Sequence, residues 1–316
     1  MSKEQGFIVF QIVRIVCKNL SDNNAIHLFF AKGYNQFLVL VRFFRGNNLA
    51  LKFCSFASGS SGNCYLIKKG KAALLIDAGI SGKKILEGIE STGTSIEEVS
   101  SLFITHEHTD HIKSIRVLGK KIPDMAVYAN KSTWFGIEEQ TDHRLSDDRR
   151  RIFSTGREFE VDALSVKPFH ISHDAAEPVG FSFSDGESKI SIVTDTGCIT
   201  DDIFEEIVDA DLLVLEANHE PRILEYCRYP YALKKRILSD RGHLSNECAG
   251  RCITRLVEEN PKRRNILLGH LSHENNMPDL AQMTVENILY ESDIHVGGDT
   301  RLDVILRNKI SRIYEV

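Results

Sequence analysis

Three histidines and an aspartate crowd into His106-Glu107-His108-Thr109-Asp110-His111. His106 and His108 are separated by one residue, so in an extended loop their imidazoles point the same way and can share one cation. Asp110 and His111 come as the chain turns into a helix and can aim at a neighbouring second cation. Imidazole and carboxylate together suit zinc, manganese or iron, which accept nitrogen and oxygen ligands at one site. A polar helix start capped by Thr109 or Asp110 would explain Asp110 alone. It leaves unexplained three histidines directly after an apolar run.

Such side chains need rigid supports, and apolar strands that end in a polar residue supply them. Leu74-Leu75-Ile76 runs into Asp77, Leu102-Phe103-Ile104 into Thr105-His106, Ile190-Ser191-Ile192-Val193-Thr194 into Asp195, and Ile266-Leu267-Leu268-Gly269 into His270. Strand patterns are expected at Leu51–Phe56, Asn63–Lys68, Ala72–Asp77, Ser101–Thr105, Ala126–Tyr128, Leu164–Phe169, Gly180–Ser184, Lys189–Thr194, Asp211–Glu216 and Asn265–Gly269. Helical patterns lie between them at Lys83–Ser91, His111–Leu118, Thr200–Val208, Asn246–Glu258 and Asp279–Glu291. No repeat or linker divides the stretch from residue 51 onward. The order fits an α/β sandwich with helices outside two packed sheets.

Composition sets outer bounds. The chain has 316 residues, 42% of them apolar, with a net charge of −5, so no global basic field announces a nucleic-acid partner. Residues 1–50 carry six Lys/Arg and two Asp/Glu, leaving the rest of the chain at −9. Seven cysteines without a CxxC pair argue against a disulfide framework and for a reducing compartment. Cys248 and Cys252 read as small buried apolar residues of a helix. The apolar run Gly6–Val16 is interrupted by Gln11 and Arg14 and falls short of the roughly 20 residues that cross a bilayer. It also lacks a small-residue cleavage site, so neither a membrane span nor a signal peptide is expected. Phe37 to Phe44 reads as a strand that would extend a sheet. Alternatively Leu51 opens the domain and marks the true translation start, leaving residues 1–50 as mis-assigned upstream sequence.

From about residue 51 to 316 the chain resembles the metallo-β-lactamase superfamily, through HxHxDH and three later stretches: His170-Ile171-Ser172-His173-Asp174, Thr194-Asp195-Thr196-Gly197 and Leu268-Gly269-His270-Leu271-Ser272. The resemblance implies an αββα four-layer sandwich. It implies His106, His108 and His173 on one divalent metal, Asp110, His111 and His270 on a second, and Asp195 between them. Asp77 would orient a ligand histidine from behind. His170 competes with His173 for the third place, and the spacing to Gly180-Phe181 favours His173. Two such cations, zinc or manganese with iron as a further option, would hold a bridging hydroxide at neutral pH. Asp110 and His243 are the catalytic candidates. In the phosphodiesterase branch, a histidine in a context like His243-Leu244-Ser245 ahead of a helix protonates the leaving group; capping of the following helix is the competing role.

Within the superfamily the chain is similar to the YycJ-type (WalJ-like) exonuclease group. The resembling stretches are Phe53–Cys64, Ser172–Ala175 with Pro178–Phe181, Glu216-Ala217-Asn218-His219 and Gly269–Asn276. What this implies is a bacterial cytoplasmic nuclease that degrades double-stranded DNA from the 5′ end. Tyr226–Tyr231 and Lys234-Lys235-Arg236 mix aromatic and basic side chains ahead of His243, as a nucleic-acid groove would. Arg149-Arg150-Arg151 and Lys262-Arg263-Arg264 read as solvated faces. Ser58–Asn63 reads as a hairpin loop, with a rim that meets a terminal phosphate as the alternative. A cyclic phosphodiesterase and a glyoxalase II-like thioesterase share the metal motif. A non-catalytic binding module would have lost ligands, and none is missing.

Overall fold

A computed structural model describes residues 24–33, 36–45, 50–140, 146–298 and 300–316. The run Gly6–Val16 and Cys17 lie outside the described residues. The chain divides into a unit ending at Ala50 and a second unit, Leu51–Val316. In the first, strand Asn24–Gly33 pairs antiparallel with Gln36–Arg45, which contains the expected Phe37–Phe44, in a two-stranded sheet of its own.

Among its described residues, the second unit holds two seven-stranded sheets. In order across the first sheet lie Tyr314–Glu315, Lys52–Ala57, Cys64–Lys69, Ala72–Ile76, Val99–Phe103, Ala126–Ala129 and Arg150–Ile152. The second runs Thr300–Val304, Arg264–Gly269, Leu212–Glu216, Lys189–Val193, Val179–Ser184, Leu164–His170 and Phe159–Val161. Side-chain alternation along each strand sorts the apolar residues into three cores. Leu74 and Ile76 meet Leu212 and Val214 between the sheets. Ala73 and Leu75 face Ile85, Ile89, Leu118 and Trp134 on the outer side of the first sheet. Leu213 and Leu215 face Phe204, Ile253, Leu256 and Val285 on the outer side of the second. Helix, sheet, sheet, helix is the resulting order of layers. Strand Leu212–Glu216 is buried on both faces, which is why it reads as an unbroken apolar run. Each such side chain contributes roughly 1.5–3 kcal/mol by leaving water.

Several elements differ from the sequence expectation. The single helix expected over His111–Leu118 is two, Thr109–Ile112 and Ile115–Lys121. Ser114 breaks it because its amide donates to the Ala78 carbonyl at 2.8 Å and its hydroxyl to the Ile80 carbonyl at 2.5 Å, outside the helix. The edge strands Arg150–Ile152 and Phe159–Val161, at three residues each, are too short to show alternation. Strands Thr300–Val304 and Tyr314–Glu315 and helices Lys131–Gln140, Pro221–Tyr226 and Tyr231–Ile237 add to the expected set. The basic clusters away from His243 are structural. Arg149 donates to the carbonyls of Gly119, Ile122 and Met125, and Arg150 pairs with Glu138. Arg264, read as part of a solvated face, is instead buried and bonded to the carbonyls of Val208 and Asn260.

Candidate metal centre

Strand ends from both sheets converge on one cluster. In the first sheet, Val99–Phe103 feeds the loop that carries His106 and His108, and Asp110 and His111 sit in the short helix after it. In the second, Lys189–Val193 leads to Asp195, Leu212–Glu216 ends in Glu216, and Arg264–Gly269 leads to His270. These three strands are parallel neighbours, with Val193 opposite Leu215 and Glu216 opposite Gly269, so register sets their ends side by side. Asp77, Asp195 and His270 each turn the chain sharply off a strand, with φ of 58°, 60° and 53°. Left-handed backbone of this kind costs non-glycine residues energy and gathers at functional sites.

The side chains close a ring of nitrogen and oxygen atoms. His106 Nε2 and His108 Nδ1 lie 3.0 Å apart, so at most one carries a proton. With His173 they form a trio whose ligand atoms lie within 4.8 Å of one another, and Asp110, His111 and His270 form another. Asp195 reaches towards His111 Nε2 (3.3 Å), His270 Nε2 (3.4 Å) and His173 Nε2 (3.9 Å). It therefore lies between the two trios. Asp110 is the most open of these carboxylates, with its side chain 28% exposed. His170 ends its strand exposed, away from the ring, whereas His173 is buried within it.

Outer contacts fix each imidazole. Asp77 accepts from His111 Nδ1 at 2.7 Å and from the Thr105 amide at 2.9 Å. The Gly242 carbonyl lies 3.1 Å from His173 Nδ1, and Arg241 donates to the His173 carbonyl. Glu216 Oε1 stands 2.8 Å from both His243 Nδ1 and His270 Nδ1. The sequence alone assigns Glu216 no role of its own, yet here it ties two imidazoles to one carboxylate. Its signal was the one that marked Asp77, Asp195 and His270: an apolar strand ending in a polar residue. His243 packs against both neighbours, with ring centroids 5.2 Å from His173 and 5.3 Å from His270.

The loop Ser58–Asn63 is more than a plain hairpin connection. Ser58 Oγ accepts from the His270 amide at 2.8 Å, and Asn63 Nδ2 stands 3.1 Å from His111 Nε2. Behind it, Gly79 packs so closely on the Asp110 carbonyl that a Cβ would fall 1.5 Å from that oxygen. His219 is buried without a hydrogen-bond partner on either ring nitrogen, and burial lowers its pKa to about 4. His273 is exposed beside Glu274.

Burial dominates the electrostatics, and neighbouring charges decide its outcome. Burial and the adjacent His111 push His106 well below the ordinary imidazole range. Burial works the same way on His111, but Asp77, Asp195 and Asp110 outweigh it and raise its pKa. At His270 burial is again opposed, by Asp195 and Glu216, and the result is about 9. Burial would raise Asp195 and Glu216, yet His270 and His111 hold the first well below the carboxylate range, and His243 and His270 bring the second to about 2. A buried ring of anions and imidazoles is what divalent cations neutralise, displacing protons as they bind. His270 Nε2, buried and without a hydrogen-bond partner, is an orphan that a cation would satisfy. The cluster is thus compatible with divalent metal, and its nitrogen–oxygen donor set suits zinc, manganese or iron.

Comparison with known proteins agrees with this geometry. The Beta-lactamase superfamily domain matches residues 73–270. Exodeoxyribonuclease YycJ of Bacillus anthracis is 39% identical over 249 residues, covering 79% of this chain and 93% of that protein. Exodeoxyribonuclease WalJ of Streptococcus pneumoniae strain D39 is 37% identical over 257 residues, covering 81% and 94%. Among solved structures, the metallo-β-lactamase fold protein YhfI from Bacillus subtilis superposes with a TM-score of 0.62 at 15% identity, over 84% of this chain and 100% of YhfI. At that identity the likeness concerns the fold.

Proposed function

The chain belongs to the beta-lactamase superfamily, and from that premise we propose that it is a two-metal phosphodiesterase, an exonuclease that shortens double-stranded DNA from its 5′ end. The observation that carries the reading is Glu216 Oε1, shared by His243 and His270. It engages His243 Nδ1, and His243 has a ring nitrogen within 4.8 Å of ligand atoms of His173 and Asp195. A phosphodiester leaves behind an alkoxide that needs a proton, and an imidazole held by a buried carboxylate supplies one. Two relatives matched over more than nine-tenths of their length, both named exodeoxyribonucleases, support the same substrate class.

In this reading His106, His108 and His173 would hold one divalent cation, Asp110, His111 and His270 the other, with Asp195 between them. Zinc, manganese or iron, when bound, would acidify water and neutralise charge on the phosphate in the transition state. Asp77 holds His111 Nδ1 in the protonated tautomer, leaving its Nε2 lone pair for the cation. Asp110, at the open side of the ring, orders the attacking water and accepts its proton. His243 Nε2 protonates the departing sugar oxygen.

Residues 221–241 support a nucleic-acid surface. They hold six Lys/Arg against two Asp/Glu in a unit that is otherwise acidic, and Tyr226 and Tyr231 are 83% and 81% exposed. A cavity of about 670 Å³ opens between Arg222, Tyr226, Arg228, Tyr229 and Glu274. Both of its walls leave strand ends that carry Glu216 or His270. Exposed aromatic rings and cations in one place suit stacked bases and phosphates. Cysteines 54, 64, 198, 227, 248 and 252 are free, which supports a reducing, cytoplasmic setting. No helix among the described residues is long and apolar enough to cross a membrane.

The test is purified protein with Mn²⁺ or Zn²⁺ on 5′-labelled and 3′-labelled duplex DNA, beside a thioester and a small cyclic phosphodiester. Release of the 5′ label as the earliest product is expected. Rapid thioester or cyclic-diester turnover without DNA cleavage would overturn the reading.

A further inference from the structure

From residue 50 onward, the described arginines are either paired or exposed, with one exception. Arg236 pairs with Asp174, Arg255 with Asp201 and Glu259, and Arg312 with Asp303, while Arg241 and Arg264 donate to carbonyls. From residue 50 onward, those without a partner among the described residues are exposed, apart from Arg307. Arg307 is half-buried, its Nε is shut off from solvent with no acceptor, and no described carboxylate lies within ion-pair distance. A partly desolvated, unmatched guanidinium costs stability. An anion from outside would match it.

The surroundings are shaped to admit one. Arg307 lies across Gly59, where a Cβ would come within 2.6 Å of its Cγ and 2.8 Å of its Cδ, and 3.1 Å from the carbonyl of Leu271, the residue after His270. Only glycine leaves room for that side chain. Gly59 opens a turn closed by the Gly62 amide on the Gly59 carbonyl, and its own amide is held by Asn63. The exposed tip is Ser60-Ser61, whose amides and hydroxyls bond to no described group. The Arg307 side chain packed on Gly59 and the two free serines beside that glycine therefore meet at a loop whose base touches both His270 and His111.

We infer that Arg307, Ser60 and Ser61 form a binding site for the terminal 5′-phosphate of the DNA strand being degraded, an inference that rests on the exonuclease reading above. A phosphate monoester carries about −1.5 to −2 charge and three strong acceptor oxygens. That matches a guanidinium fork plus hydroxyl and amide donors better than an internal diester, which has two free oxygens and a single charge. Binding the end of the strand against this rim would set the first linkage at the ring and make the enzyme cut from the end rather than internally.

The test compares duplex DNA bearing a 5′-phosphate with the same duplex bearing a 5′-hydroxyl, using Mn²⁺-loaded wild type, Arg307→Gln, Arg307→Lys and the double variant Ser60→Ala/Ser61→Ala. Wild type is expected to prefer the phosphorylated end by at least about tenfold in kcat/KM, mainly through KM, as loss of charge-assisted hydrogen bonds predicts. Arg307→Gln should remove that preference without slowing the 5′-hydroxyl substrate, and Arg307→Lys should recover part of it. The serine variant should weaken it without touching the arginine. Anisotropy with a labelled 5′-phosphorylated oligonucleotide and metal-free protein should give the same ranking of affinities. Equal cleavage of both ends by wild type, or an equal loss on both in Arg307→Gln, overturns the phosphate site while leaving the nuclease standing. Absence of DNA cleavage at either end overturns both.

Discussion

The first sheet brings His106, His108, Asp110 and His111 to the centre on one short loop, whereas the second brings His173, Asp195, Glu216, His243 and His270 from five places in the chain. The loop is held locally, by Asp77 against His111 and Thr105 and by the close packing of Gly79 on Asp110. The scattered half depends on strand register, on the Gly242 carbonyl behind His173, and on Glu216 behind two imidazoles. A site built this way has one half that survives small movements and one half that reports them. Damage to distant packing should reach the chemistry through the second sheet.

The largest effect should come from the local half. Asp110→Ala is expected to bring DNA hydrolysis to background, with metal content falling from two ions per chain to one by plasma mass spectrometry and the thermal melt unchanged. Retained turnover would refute the two-cation assignment. His243→Ala should lower kcat by about 10²–10⁴-fold while both ions stay bound. Loss of an ion there would make His243 a ligand instead of a proton donor.

Next in size are the supporting carboxylates. Asp77→Asn and Glu216→Gln should each cost about 10–100-fold in metal affinity or activity. Glu216→Gln is expected to be the worse of the two, because it releases two imidazoles rather than one; equal losses by metal titration would erase that asymmetry. The smallest effect on activity should follow from core truncation. Leu102→Ala and Leu213→Ala, both fully buried, should each cost about 2–5 kcal/mol in urea unfolding. Only Leu213→Ala, in a strand that sets the ends of its neighbours, should also weaken metal binding under native conditions.

The same contrast explains what the amino-acid sequence revealed. A cluster of ligands in adjacent positions is visible to the eye, and so are the strand ends before Asp77, His106, Asp195 and His270. His173, far from the loop, is a ligand candidate only through resemblance to a family, and the same resemblance assigns His270, already marked by its strand end, to the second cation. Glu216 carries the same strand-end signal, but nothing in its spacing ties it to His243 and His270; its two bonds exist only once parallel strands are in register. Helices Pro221–Tyr226 and Tyr231–Ile237 are not legible in the sequence, because six or seven residues give too few turns for a 3.6-residue period to emerge. The break at Ser114 was hidden for another reason: its competing carbonyls, on Ala78 and Ile80, are remote in the chain.

The left-handed turns at Asp77 and Asp195 carry an evolutionary consequence. Aspartate and asparagine tolerate that backbone, while β-branched and bulky residues do not. These positions are therefore constrained twice, by the carboxylate and by the chain path, and the routes away from them are few. A lineage abandoning this chemistry would be expected to pass first through asparagine, a single base away in the codon, keeping the turn after the charge has gone. Descendants with an intact scaffold and silent centre should bear asparagine or glycine at these two positions long before the histidines around them erode.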